Sequence, residues 1–151
     1  MAQIKWRAFV IHHSATEDDG NTLSWPALRH YHIAEKGWKD TAYHFGVELY
    51  RDDFEVLVGR PLTMEGAHCQ GGVNEWGIGV CVVGSYSDVY PPVEMIEVLC
   101  KRLIVPLGTI LEIPLDDKGI LFHRDLWATE CPGRLFGKEW FFKVLEECKV
   151  H

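Results

Sequence analysis

The sequence has no run of Lys or Arg, no apolar segment of 18 residues, no paired cysteine spacing, no internal repeat and no low-complexity tract. Each absence excludes a class. Net charge is -7 at pH 7, so a phosphate-neutralising groove is not expected and nucleic acid is discounted as a partner. Without a long apolar segment no membrane-spanning helix and no membrane partner are expected. The apolar run at residues 8–11 is too short for the central region of a signal peptide, so the expectation is a protein made in the cytoplasm. Cys69, Cys81, Cys100, Cys131 and Cys148 form an odd set, which argues against a disulfide framework and for reduced thiols. Four of them are expected to be buried small hydrophobes. Cys131 differs, because in TECPG a turn should hold it near the surface.

What is present points to one globular domain over residues 1–151. The composition is 47% hydrophobic and 25% charged, enough for an ordinary core at this length. Residues 7–11 predict a buried strand. Ser24 is placed to cap a helix with Pro26 in its first turn and Gly37 just past its end. Residues 43–50 and 54–58 flank Arg51, Asp52 and Asp53 as a hairpin. The run GIGVCVVG, residues 77–84, predicts a central strand apolar on both faces. Helical spacing runs from Val93 through Ile96, Leu99, Cys100 and Leu103 towards Pro106, and again over residues 139–148. The fold class that follows is α/β, a single domain with a central mixed β-sheet flanked by helices.

The stretch FVIHHSAT ends a strand in two adjacent histidines. Successive strand side chains face opposite ways, so only one of His12 and His13 serves a given site. His123 ends a second short apolar run, GILFH, and Cys131 follows eight residues later. Two His and one Cys are the ligand types and number of a catalytic zinc site, which leaves one tetrahedral position open. Spacing alone leaves a second reading open, in which both histidines are satisfied core-edge residues and Cys131 packs a turn.

Four motifs in order, VIHHSAT, AYHFGV, GAHCQGGVNEWGIGVCVVG and FHRDLWATECPG, resemble the zinc-dependent N-acetylmuramoyl-L-alanine amidases. That family includes phage lysozyme-type amidases and peptidoglycan recognition proteins, and the resemblance runs from Phe9 to Phe136. It implies an amidase/peptidoglycan-recognition-protein-like fold with a zinc ion (Zn2+) in a groove. It also implies His12, His123 and Cys131 as metal ligands, with His13 on the other face. Tyr43 matches the family tyrosine beside the zinc, where its phenol would bond the zinc water or the oxyanion; as a residue alone it is equally an ordinary strand aromatic. Thr129 stands where phage members carry lysine and catalytic recognition proteins carry threonine, so its catalytic part rests on one neutral hydrogen bond. His68 matches a family histidine near the groove, with substrate contact and a structural loop role both open. Each ligand histidine is expected to donate its other ring N–H to an acceptor that the sequence does not reveal.

The implied activity is hydrolysis of the amide between N-acetylmuramic acid and L-alanine in peptidoglycan, as in endolysin-type cell wall degradation by a phage or prophage protein. The partner is peptidoglycan or a muropeptide, and a monomer is expected. With no secretion signal found, the wall would be reached after lysis or holin-mediated release. Three alternatives stay open: a cytoplasmic amidase that recycles anhydro-muropeptides, a non-catalytic muropeptide-binding module, and a polymerase-regulating protein. His44, His30 and His32 are read as structural or solvated, Trp38, Trp76 and Trp127 as half-buried, and Glu17 to Gly20 as a solvated turn.

Overall fold

The first strand, β1 (Ala8–His13), lies between two parallel neighbours in a computed structural model that describes residues 3–18, 20 and 24–150. On one side it pairs with β4 (Gly77–Val82), from Ala8 opposite Gly77 to His13 opposite Val82. On the other it pairs with β5 (Ile120–Phe122). β2 (Phe45–Tyr50) runs parallel to β4 and antiparallel to β3 (Asp53–Val58), so the order is β3-β2-β4-β1-β5 in a mixed sheet. All six residues of β4 are buried, as a strand covered on both faces must be. A two-residue turn at Arg51 and Asp52 joins β2 to β3, with Arg51 at a left-handed φ of 59°.

Alternation along the strands divides the side chains by size. Phe9, Ile11, Ile78, Val80, Val82, Ile120 and Phe122 enter the main core. There they meet α2 (Val93–Leu99) and α5 (Lys138–Val150), among others through Met95, Ile96, Leu99, Phe141 and Leu145. Each fully buried side chain of this size contributes roughly 1.5–3 kcal/mol. The opposite face carries Gly46, Cys81 and His12, and is covered by α1 (Trp25–Ala34) through Trp25 and Leu28. The Trp25 ring packs against Gly46, where any Cβ would collide with it.

Several local expectations change. Helical structure continues through Pro106 to Leu111, in α3 (Val105–Leu111), instead of ending near the proline. Between α2 and α3, Cys100–Ile104 forms a π-helical turn in which Val105 N–H donates to Cys100 O. The wider turn accommodates a proline that has no N–H and whose ring crowds the preceding turn. Ser24 precedes α1 but makes no side-chain cap bond. The buried Glu48 carboxylate takes that place, accepting from Ser24 N at 2.6 Å and Trp25 N at 2.9 Å. β2 starts at Phe45, and Tyr43 and His44 precede it. β1 extends to His13, and β5 stops at Phe122, so His123 opens the four-residue α4 (His123–Leu126).

His32 is buried instead of solvated, its Nδ1 accepting from Ala42 N at 3.1 Å, whereas His30 is exposed. Trp127 is 48% exposed, beyond the half-buried placement expected of it. Cys69 is only partly buried, unlike Cys81, Cys100 and Cys148. Asp18 of the acidic turn accepts from Leu49 N at 2.9 Å and so ties that turn to β2; Asp19 lies outside the described residues. No helix of the described residues is long and apolar enough to cross a membrane.

Candidate metal centre

Parallel β1 and β5 end side by side, so the chain delivers His12 and His123 to one end of the sheet. Their ring centroids are 4.4 Å apart. The loop after α4 brings Cys131 to the same place, with Sγ 3.8 Å from His12 Nδ1. One ligand atom from each of the three residues lies within 4.8 Å of the others. Two imidazole nitrogens and a thiol sulfur at such separations suit a zinc ion, which takes nitrogen and sulfur donors tetrahedrally and can leave one position open.

The Cys131 loop is held by hydrogen bonds reaching back to its own start. Arg124 N donates to Cys131 O at 2.9 Å, and its guanidinium donates to Gly133 O at 2.9 Å and Phe136 O at 2.6 Å. Thr129 Oγ1 accepts from Cys131 N at 3.2 Å, which leaves the hydroxyl hydrogen free to donate elsewhere. Asp125 accepts from Phe122 N at 2.8 Å and from Lys138 Nζ at 2.6 Å, anchoring the turn that carries His123.

Burial sets the protonation of the group. His12, 2% exposed, is held well below the ordinary histidine range by burial and by the neighbouring His68, His123 and His13. His123 is lowered by burial. Both rings are therefore neutral at neutral pH and keep a lone pair for a cation. Burial pushes the Cys131 thiol up to about 11, against the opposing pull of the His13 N–H and Arg124. A cation bound there must displace that proton, since the thiolate is the ligand. Burial raises the Tyr43 phenol well above its ordinary value, so it remains a donor. Its ring lies 5.3 Å from His12.

The neighbouring histidines divide as strand alternation requires. His13 is turned to the other side, its Nδ1 accepting from Tyr86 N at 3.3 Å, while its backbone N–H donates to Cys131 Sγ at 3.3 Å. His44 is fully buried and structural, donating from Nε2 to Met64 O at 2.8 Å and accepting Gly79 N at 3.0 Å. His68 is 7% exposed and sits behind His12 rather than in front of it, with Nδ1 2.9 Å from His12 Nε2 and Nε2 2.9 Å from Gly77 O. The parts that sequence reasoning passed over are the contact between His68 and His12, the Arg124 clamp and the Glu48 cap. The only hint was the small-residue pattern, Gly66 two positions before His68 and Gly77 and Gly79 in β4.

A protein-family model described as N-acetylmuramoyl-L-alanine amidase matches residues 2–134. The Endolysin of Enterobacteria phage T3 is 37% identical over 136 residues, covering 83% of this chain and 79% of the relative. Peptidoglycan-recognition protein LB of Drosophila melanogaster is 30% identical over 137 residues, covering 85% of this chain. The chain spans only 56% of that protein's length. The solved structure of the N-acetylmuramoyl-L-alanine amidase LysC from Clostridium intestinale matches with a TM-score of 0.76 at 26% identity, over 95% of this chain and 87% of that one.

Proposed function

Because the chain belongs to the N-acetylmuramoyl-L-alanine amidase family, we propose that it is a zinc-dependent hydrolase of the amide bond between N-acetylmuramic acid and L-alanine in peptidoglycan. Residues 1–151 act as one zinc amidase domain. The observation that carries this reading is the convergence of His12, His123 and Cys131 within 4.8 Å of one another, with the Tyr43 ring beside His12. Zinc bound there supplies Lewis-acid chemistry, polarising the amide carbonyl and acidifying a water towards a pKa of about 7.

The protein's own residues do the remaining work. His12 and His123 would hold the ion as neutral donors and Cys131 as a thiolate, its proton displaced on binding. Tyr43, held protonated by burial, donates its phenolic hydrogen to the oxygen on which negative charge develops. Thr129 orients the Cys131 loop through its Oγ1 and retains one hydroxyl hydrogen for the substrate. Likeness to a phage endolysin over 79% of that protein's length supports the polymeric wall as substrate, reached after lysis or holin-mediated release, over a soluble muropeptide.

Mass spectrometry of purified peptidoglycan and of soluble anhydro-muropeptides, incubated with and without a chelator, tests the proposal. The expected result is chelator-sensitive release of stem peptides that begin at L-alanine, with glycan chains intact and polymer preferred. Intact substrates from a preparation holding one zinc per chain would overturn hydrolysis and leave muropeptide binding.

A further inference from the structure

Behind His12 the hydrogen-bond chain runs in only one direction. His68 Nε2 lies 2.9 Å from the carbonyl oxygen of Gly77. A carbonyl only accepts, so Nε2 carries the His68 proton. Neutral His68 then has a lone pair at Nδ1, and the atom 2.9 Å away is His12 Nε2. That nitrogen must be the donor. His12 Nδ1 is left with its lone pair, 3.8 Å from Cys131 Sγ and on the side where His123 and Cys131 converge.

We propose that the Gly77 carbonyl and His68 form a relay that fixes His12 as its Nε2–H tautomer and aims its Nδ1 lone pair at the metal. His68 is thereby a positioning residue, assigned to the back of the site in place of substrate contact. The relay's functional meaning rests on the zinc reading above, but its proton pattern belongs to the protein alone.

The reverse direction is excluded by chemistry. Were His68 to donate from Nδ1 while neutral, its bare Nε2 would face the Gly77 oxygen, lone pair against lone pair, at 2.9 Å. Were it doubly protonated, a charge would be buried in a slot where the ring is 7% exposed, which desolvation opposes.

The slot itself is built for an imidazole. A Cβ on Gly66 or on Gly79 would run into the His68 ring, so two glycines give it room. Asn74 then fixes the loop. Its Oδ1 accepts from His68 N at 3.0 Å and Cys69 N at 3.2 Å, while its Nδ2 donates to Cys69 O at 2.6 Å. Ring, loop and strand carbonyl hold one geometry, and the rotation of His12 about its own side chain is limited by the bond at Nε2. Partners of this kind, which orient a ligating histidine and set its tautomer, commonly strengthen metal binding 10–100-fold.

The decisive measurement is long-range 15N–1H correlation NMR of the imidazoles in the metal-free wild-type protein. The relay requires Nε2–H tautomers at both His12 and His68, and an Nδ1–H tautomer at His12 overturns it. Zinc affinity by competition with a chelating dye supplies the second readout. His68→Ala should weaken zinc by about 10–100-fold. His68→Gln should recover part of that loss, because its amide oxygen can accept from His12 and its NH2 can donate to Gly77 O. Equal affinity in wild type and His68→Ala overturns the relay's role. Wild-type protein with the required tautomers but no zinc affinity would overturn the proposed function and leave the proton pattern standing.

Discussion

The two faces of the sheet are built from side chains of different size, and they answer to different physics. Towards α2 and α5 the strands present Phe9, Ile11, Ile78, Val80 and Val82, large apolar groups whose burial is non-directional and tolerant of small shifts. Towards the candidate metal centre they present Gly46, Glu48, Gly77, Gly79, Cys81 and His12. The missing volume there is occupied by the Trp25 and His68 rings, and nearly every polar group meets a specific partner. The first face supplies stability. The second spends side-chain volume on directional contacts, because a buried polar ring is tolerable only when hydrogen-bonded. The contrast teaches that truncating the large apolar groups should cost stability, whereas substitutions at His12, His123 and Cys131 should cost chemistry.

The sharpest break of that contrast is Cys131→Ser. A hydroxyl is a far poorer zinc ligand than a thiolate, so zinc content and hydrolysis should both vanish while the metal-free protein melts within a few degrees of wild type. Retained zinc and turnover, by metal analysis and peptidoglycan digestion, would remove Cys131 from the site. On the other face, Phe141→Ala should cost about 3–5 kcal/mol in denaturant unfolding and leave zinc affinity unchanged. Phe141 is fully buried, with rings of Phe122 and Phe142 at 5.6 Å and 5.5 Å.

Acid should expose the histidine face selectively. Burial holds His68 down to about 4 and His12 well below 6.5, whereas both titrate near 6.5 in an unfolded chain. Below that pH the unfolded chain takes up protons that the folded chain refuses. Stability of the metal-free protein should therefore be complete above about pH 6.5 and fall by a few kcal/mol as pH drops towards about 4. A flat unfolding midpoint over this window would mean that the rings are not held neutral.

Tyr43→Phe removes one hydroxyl from the chemical face and should lower kcat about 10²-fold with zinc affinity and melting temperature intact; an equal kcat would return Tyr43 to an ordinary packing aromatic. The smallest effects lie at the start of α1. Glu48→Gln should cost about 1 kcal/mol, as a lost cap does, and Ser24→Ala less than about 0.5 kcal/mol. The reverse order in thermal melts would restore the cap to Ser24.

Much of the sheet was legible because strands signal themselves locally. The apolar stretch at residues 7–11 and the continuous apolar run in GIGVCVVG placed β1 and β4 within two residues of their ends. Boundaries failed where a tertiary partner outweighed a local signal. The helix expected to stop near Pro106 runs on because a π-helical turn absorbs the proline. The cap expected from Ser24 comes from Glu48, 24 residues away, because a buried carboxylate reaches both orphan N–H groups. His32, solvated by its helical spacing, is buried because Thr41 and Ala42 fold over it.

The candidate centre divides in the same way. That one of two adjacent histidines faces the site is a consequence of strand geometry, and that two imidazoles and a thiol suit zinc is a consequence of ligand chemistry. Both are properties of residue type and spacing, so the chain carries them before it folds. Which acceptor faces the ring N–H of His12 could be decided only by tertiary structure. His68 lies 56 residues away in sequence, and a hydrogen bond depends on distances and directions that no local pattern encodes.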